Sequence, residues 1–485
     1  MDEDFGVQRS WARKPFFYRA PVPEAMLALV REYQLAGVEY HLSRDRALFG
    51  DAPGLGKTAE CILLGNAIRA RRTLVVCPAS LRLKWEREIW QWSTIDGVTT
   101  YPVLKSRDGV SSEADYVILS YALLLNKGIR DAILDLRWDH LILDEAHAIK
   151  DPKGNRRTRI ICAPDMLPSV VGRITMASGT ILPNQPVECY NAIRLLNWEA
   201  IDRASLTTFK EHYYDFGGGT IFGPVFDPNT QTWSRKVHWS DHVRNVPRNL
   251  DDLQHRLRKH VMVRRLKKDV LKELPKKQWV PFPLEPTSDI RKALKHEGWK
   301  AAERLWEMDP DAFKGSIAVD GAVSTARRLL GEAKAPQVAD YARELLASGV
   351  EKLVIGAWHL SVLSYLFEQF DSTCGLVYMD GSVSPTSKQN SVDRFQSDPS
   401  CRIILGQMMV LGEGCDLFAA QDVLLAEPDW VPGRNDQFLD RVHRLGQKGS
   451  YVMGHLPVVP GTLDEKIISV AIRKDKAIYD ALDRS

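Results

Sequence analysis

The chain predicts an α/β fold built on two parallel, doubly wound sheets. Three observations predict it. From Ala47 to Ala177, apolar runs of three to five residues alternate with helical segments, the rhythm of strand–crossover–strand units. That rhythm breaks after residue 198, and a second strand series begins at Lys352. Between the first apolar run and the first helical segment stands Gly50-Asp51-Ala52-Pro53-Gly54-Leu55-Gly56-Lys57-Thr58, which reads as strand, glycine turn, helix.

Taken in order, residues 1–20 form an N-terminal extension. They mix charges with Trp11, Phe16, Phe17 and Tyr18 and are expected to clasp the first lobe. The first lobe spans 21–198. It opens on a helix, Arg31 to Val38, carrying Gln34. An amide there can read an adenine edge bidentately; the plain alternative is an exposed glutamine. Ala47-Leu48-Phe49, Leu74-Val75-Val76-Cys77, Tyr116 to Ser120, Leu141-Ile142-Leu143 and Arg173 to Ala177 are its strands. Ser80 to Trp92 is helical and holds Arg82, Lys84, Trp85 and Arg87. It presents cations to a phosphate backbone, or is a solvated face around a core Trp85.

Residues 199–262 read as an insertion with its own small core of Tyr213, Tyr214, Trp233 and Trp239, broken by Gly217-Gly218-Gly219. Residues 263–345 read as a basic linker and helical insertion. Residues 346–462 are the second lobe, with strands at Lys352–Ile355, Leu376–Met379, Arg402–Leu405 and Val423–Leu425. Residues 463–485 carry apolar residues at 463, 467, 471, 478 and 482, the spacing of an amphipathic bracing helix.

Composition bounds the class. The 485 residues are 44% hydrophobic and 26% charged, as in an ordinary soluble domain protein. No apolar run approaches the roughly 20 residues that span a bilayer, so no membrane role is expected. Met1-Asp2-Glu3-Asp4 is unlike a secretory signal. Seven cysteines are scattered without a C-x-x-C pair, which argues for a reducing compartment and against zinc. The net charge is only +3, but Arg256 to Lys277 holds ten Lys/Arg against two acids, or +8. The rest of the chain is therefore −5. Leu266, Val270 and Leu274 keep a helical stripe beneath this block, whose natural partner is a polyanion.

The chemistry follows from the loop. Backbone N–H groups of residues 51–58 face a phosphate at a helix N-terminus. Lys57 would reach the outer phosphates, and the Thr58 hydroxyl would ligate Mg²⁺; taken alone, the alternative is a chance match or a loop that merely caps a helix. Asp51 stands where the general pattern has its first glycine. Asp144-Glu145-Ala146-His147 ends the strand Leu141–Leu143. A carboxylate pair there holds Mg²⁺ through Asp144 and polarises a water through Glu145; the alternative is an Asp capping the next helix. In the second series, Arg441 and Arg444 lie three apart, on one face if helical. Two guanidiniums there clamp a γ-phosphate, or else make surface salt bridges.

The whole set resembles helicase-superfamily-two motors, and within them the Swi/Snf-type double-stranded DNA translocases. Tyr33-Gln34, Asp51 to Thr58, Asp144-Glu145-Ala146-His147 and Ser178-Gly179-Thr180 stand in that family's order. Val263-Arg264-Arg265-Leu266-Lys267-Lys268-Asp269-Val270 through Leu274-Pro275 resembles its basic block. Asp380-Gly381-Ser382, Gly412-Glu413-Gly414-Cys415-Asp416-Leu417 and Asp440 to Gln447 resemble its second-lobe motifs. Asn249 to Leu253, leading into Met262–Arg265, is closest to the annealing-helicase, fork-remodelling branch. Two departures stand out: Thr180 is followed by Ile181-Leu182-Pro183-Asn184, and Gln407-Met408 replaces small hydroxyl residues.

The resemblance implies two RecA-like lobes closing on ATP and Mg²⁺. It implies catalysis by Lys57, Glu145, Arg441 and Arg444, and nucleotide contacts from Gln34, residues 51–58, Asp144, Gly414 and Asp416. Backbone contacts to DNA would come from Lys84, Arg264, Arg265, Lys267 and Lys268. The expected activity is a DNA-stimulated ATPase that translocates on double-stranded or branched DNA and remodels it, inside the cell: in the cytoplasm if the protein is bacterial or viral, in the nucleus if eukaryotic. A strand-separating DNA or RNA helicase and a non-hydrolysing DNA clamp are the competing readings.

Overall fold

The structure is a computed structural model that describes residues 5–465, leaving out 17, 19–21, 23–25, 27, 180–185, 217–220, 228–231, 239–244, 298, 301–316, 371–374, 413–414, 430–431 and 463. Strands β1 to β6 are Arg46–Phe49, Thr73–Cys77, Thr100–Pro102, Tyr116–Ser120, Trp138–Asp144 and Val171–Ala177. Strands β7 to β11 are Tyr214–Phe216, Ile221–Asp227, Thr232–His238, Asn245–Pro247 and Met262–Val263. Strands β12 to β17 are Lys276–Pro283, Leu353–Ala357, Leu376–Met379, Ile403–Gln407, Asp422–Leu425 and Tyr451–Val458.

Two parallel sheets carry the fold. The first runs β11-β1-β6-β5-β2-β4-β3 and the second β12-β17-β16-β13-β15-β14. Each strand feeds apolar residues to both faces, as a covered parallel sheet requires. Leu74, Val76, Leu141, Leu143, Ile174 and Met176 enter one core of the first lobe. Their neighbours Val75, Cys77, Ile142 and Ala177 enter another on the opposite face. The second lobe repeats the device: Leu353 and Ile355 face one core, while Val354 and Ile404 face the other.

Several expectations about domain boundaries change. The first sheet takes its outermost strand, β11, from Met262–Val263, where β1 pairs with it in parallel register. The second sheet takes its outermost strand, β12, from inside the expected linker, and Lys276 to Pro283 pair with Tyr451 to Val458. The helix Ile317–Ala347 supplies Ala326, Leu330, Val338 and Ala342 to the second lobe's core, so it is part of that lobe. The insertion's tyrosines do not form a core of their own. Tyr213 and Tyr214 lie in the first lobe's core together with Phe209 and Leu253. Gly217–Gly219, Trp239 and the expected C-terminal helix beyond residue 465 lie outside the described residues, as does the side chain of Trp233.

The N-terminal extension does clasp the first lobe. Ser10 Oγ donates to the Met262 carbonyl at 2.9 Å, and Arg264 N–H donates to the Ser10 carbonyl at 3.2 Å. The Trp11 ring lies 3.2 Å beneath the Arg258 guanidinium, a cation–π contact. The extension therefore covers an edge that β11 would otherwise leave open. Among the described residues, no helix is long and apolar enough to cross a membrane.

Candidate active site

Strand order brings the sequence motifs together. β1, β6 and β5 are consecutive in the first sheet, so their C-terminal ends set the glycine loop, Ser178-Gly179 and Asp144-Glu145 side by side. That edge is where open parallel sheets bind ligands. A cavity of about 230 Å³ opens there. The first lobe lines it with Gly54, Gly56, Lys57, Thr58, Asp144 and Glu145; the second lobe brings Asp416, Gln437, Arg441 and Arg444.

The loop's glycines have steric reasons. Gly54 and Gly56 sit at φ 83° and 81°, a region that L side chains rarely adopt. A Cβ on Gly54 would come within 2.7 Å of Arg444 Cβ, and one on Gly56 within 2.4 Å of Gln34 Nε2. The loop ends in the helix Lys57–Ala67. Lys57 Nζ donates to the carbonyls of Asp51 (2.7 Å) and Ala52 (3.3 Å). Burial lowers its pKa, with Glu145, Asp51, Glu60 and Asp144 opposing.

Asp144 and Glu145 differ in environment. Trp85 Nε1 donates to Asp144 Oδ2 at 2.7 Å, and the Tyr121 hydroxyl donates to the Asp144 carbonyl at 2.7 Å. Burial and the charge of Glu145 push the Asp144 carboxyl upward. Burial pushes Glu145 upward as well, but His147, Arg441 and Lys57 together outweigh it and hold it down as an ionised carboxylate. Glu145 adopts a left-handed backbone, φ 50° and ψ 53°, a strained state of the kind found at functional sites. Its Oε2 is buried without a hydrogen-bond partner, as is Arg441 Nε. His147 Nδ1 stands 3.3 Å from that same Oε2 as an ion-pair neighbour.

Thr58 and Asp144 offer the hard oxygen donors that Mg²⁺ takes. Among the described residues, no group of three or more His, Cys, Asp or Glu side chains is arranged to hold a metal. Mg²⁺ sites of one or two protein oxygens, completed by phosphates and water, need no such group. The ionised Glu145 beside them fits a water held near the ion.

Other expected site residues are placed differently. Gln34 is buried, not an exposed glutamine: Nε2 donates to the Leu55 carbonyl at 3.3 Å, and its Oε1 accepts from Arg31 N–H at 2.9 Å. Asp51 is fully buried, and its carboxylate holds Arg265. Arg441 and Arg444 do not share a helix, because the helix Pro432–Leu439 stops before them; turns deliver both into the cavity. Thr180 and Gly414 lie outside the described residues.

The basic block calls for a correction. Arg264, Arg265 and Lys267 were expected on a phosphate backbone; all three are buried here. Arg264 Nη1 donates to the carbonyls of Gly50 (2.7 Å) and Gly179 (3.2 Å). Arg265 pairs with Asp51 and, at 2.7 Å, with Glu60. Lys267 Nζ donates to Asp440 Oδ1 in the second lobe at 2.8 Å. A charged group leaves water only when partners inside replace it, and these carboxylates and carbonyls do so. Lys84 is also paired across the lobes, 2.7 Å from Asp416 Oδ2. Of the five expected DNA contacts, only Lys268 is exposed. Leu266, Val270 and Leu274 pack with Tyr33, Leu55 and the second lobe's Leu445, so the block bridges the lobes beside the phosphate loop.

Two participants were given no site role from sequence. Trp85 orients Asp144, and Gln437 Nε2 reaches Glu145 Oε1 at 3.4 Å from the other lobe. Gln437 stands four residues before Arg441, a spacing that puts helical side chains on one face, and that was the available signal.

The chain is similar in sequence to known proteins. Residues 33–317 match the SNF2-related domain and residues 339–446 the helicase conserved C-terminal domain. The Bos taurus protein "DNA annealing helicase and endonuclease ZRANB3" is 29% identical over 474 residues, covering 95% of this chain and 41% of that protein. The Xenopus laevis "SWI/SNF-related matrix-associated actin-dependent regulator of chromatin subfamily A-like protein 1" is 29% identical over 468 residues, covering 95% of this chain and 45% of that one. The chain thus spans less than half the length of these two relatives. Among solved structures, the Sulfolobus solfataricus SWI2/SNF2 ATPase core in complex with dsDNA aligns with a TM-score of 0.42 at 18% identity, over 96% of this chain and all of that one.

Proposed function

The chain belongs to the SNF2-related family, and from that premise we propose that it is a DNA-stimulated ATPase that translocates on double-stranded DNA. The observation that carries the reading is the shared cavity, where Lys57, Thr58, Asp144 and Glu145 of one lobe face Gln437 and Arg441 of the other.

In this reading the triphosphate lies along the loop 51–58, its charge met by loop N–H groups and by Lys57. Thr58 and Asp144 would hold Mg²⁺, which would neutralise charge on the phosphates. Glu145, kept ionised by its neighbours, accepts a proton from the attacking water. Arg441 stabilises charge on the transferring phosphoryl group from the opposite lobe. Because the site is complete only when the lobes meet, each turnover couples to closure and release.

DNA is the proposed partner, held mainly by its backbone, and the place of work is inside the cell. The name of one relative, a DNA annealing helicase, supports re-annealing of DNA; branched DNA is the proposed substrate, and remodelling or re-annealing in replication, repair or recombination the proposed role. ATPase rates with duplex, single-stranded and forked DNA and with RNA test the first claim, with Lys57→Ala as the inactive control. Triplex-strand displacement against unwinding of a tailed duplex tests the second. Efficient unwinding with no triplex displacement would overturn translocation and favour a conventional helicase.

A further inference from the structure

We propose that Lys84 is a positioning residue for hydrolysis, acting through Asp416 on Arg444 so that lobe closure frees that arginine for the phosphates. The proposal rests on the ATPase reading above. Asp416 has two carboxylate oxygens, and cations from opposite lobes take one each. Lys84 Nζ, on the first-lobe helix Arg82–Trp92, lies 2.7 Å from Oδ2. Arg444 Nη1, of the second lobe, pairs with Oδ1. All three side chains line the same cavity as Lys57 and Glu145.

The two arginines of the second lobe therefore stand in different states. Arg441 Nε is buried with no hydrogen-bond partner, ready for an oxyanion. Arg444 is committed: Nε donates to the Asp440 carbonyl at 3.1 Å, and the fork is held by Asp416. A carboxylate shared by two cations holds each less firmly than it would hold one. With the lobes apart, Asp416 is left to Arg444 alone and keeps the guanidinium parked. As the lobes close, Lys84 takes part of that carboxylate's charge and loosens the hold. A second cross-lobe pair, Arg87–Asp393 at 3.3 Å, lies one helical turn further on; both its side chains are about half exposed, so it contributes little. Lys84 and Asp416 are more enclosed, at 23% and 33% side-chain exposure. Burial and the neighbouring Arg444 lower the Lys84 pKa to about 8.

Steady-state ATPase of the full chain at saturating duplex DNA tests this. Lys84→Met is expected to lower kcat about tenfold, while the KM for ATP stays within about twofold. Lys84→Arg, which keeps the charge, is expected to restore kcat to within about twofold. Lys84→Met combined with Asp416→Asn is expected to be no slower than Asp416→Asn alone, because both changes cut one path. Parental kcat in Lys84→Met overturns the proposal. So does a raised KM at unchanged kcat, which makes Lys84 a nucleotide contact. Defects that multiply in the double variant, or a defect confined to DNA affinity, overturn it too. A parent protein with no DNA-stimulated ATPase overturns the underlying reading instead, and is told apart because the Lys84 effect is read only where the parent turns over.

Discussion

Replacing Arg265 by Met decides where the basic block acts. Its guanidinium is 1% exposed, between Asp51 and Glu60 carboxylates that are both 0% exposed. Nε donates to Asp51 Oδ1 at 3.0 Å, Nη2 to Glu60 Oε1 at 2.7 Å, and Nη1 to the Tyr33 carbonyl. Removing it leaves two carboxylates and a carbonyl in the interior without their cation. Breaking a buried pair in this way costs about 3–5 kcal/mol. At about 2–4 °C per kcal/mol for a domain of this size, the first lobe's melting midpoint should fall by roughly 6–20 °C. Calorimetry of the full chain reads it. Adding Asp51→Asn and Glu60→Gln should recover part of that drop, because neutral amides are easier to bury than unpaired carboxylates. A midpoint within about 2 °C of the parent, combined with weakened duplex binding and a salt slope flattened by about 0.9, would refute this placement and return Arg265 to the DNA.

Glu145→Gln should bind ATP with near-parental affinity and hydrolyse it roughly 10²–10⁴-fold more slowly; nucleotide binding and single-turnover hydrolysis, measured together, check this, and weakened binding with an unchanged single-turnover rate on the ATP that still binds would remove the assigned role. Arg441→Ala should cut turnover by roughly 10³-fold or more with a much smaller effect on ATP binding, whereas near-normal turnover would remove it from the catalytic set. Lys268→Glu should leave the melting midpoint unchanged, since Lys268 is exposed, and should flatten the log–log salt dependence of duplex binding by about 0.9 for each phosphate that Lys268 neutralises. An unchanged slope would assign Lys268 to solvent alone.

What the sequence determined by itself was local. Apolar runs bounded by turn residues marked the sheet strands, because a strand of a parallel sheet covered on both faces, such as Leu74 to Cys77 or Leu141 to Leu143, is apolar at every position. The turn Asp51 to Thr58 was legible because glycine is the residue that tolerates the left-handed backbone found at positions 54 and 56. The carboxylates after Leu143 were legible because they end a strand. Two elements were too short or too mixed to announce themselves: β11 has only two residues, and β12, KKQWVPFP, reads as linker because its edge position demands little burial. Tertiary structure alone decided what the cations do. A count of ten bases against two acids in residues 256–277 is the same whether a guanidinium meets water, a phosphate or a buried carboxylate. Arg265 finds Asp51 and Glu60 across 214 and 205 positions of chain, and Lys267 finds Asp440 across 173. Charge is a property of the residue, but desolvation and pairing belong to the place where the fold puts it.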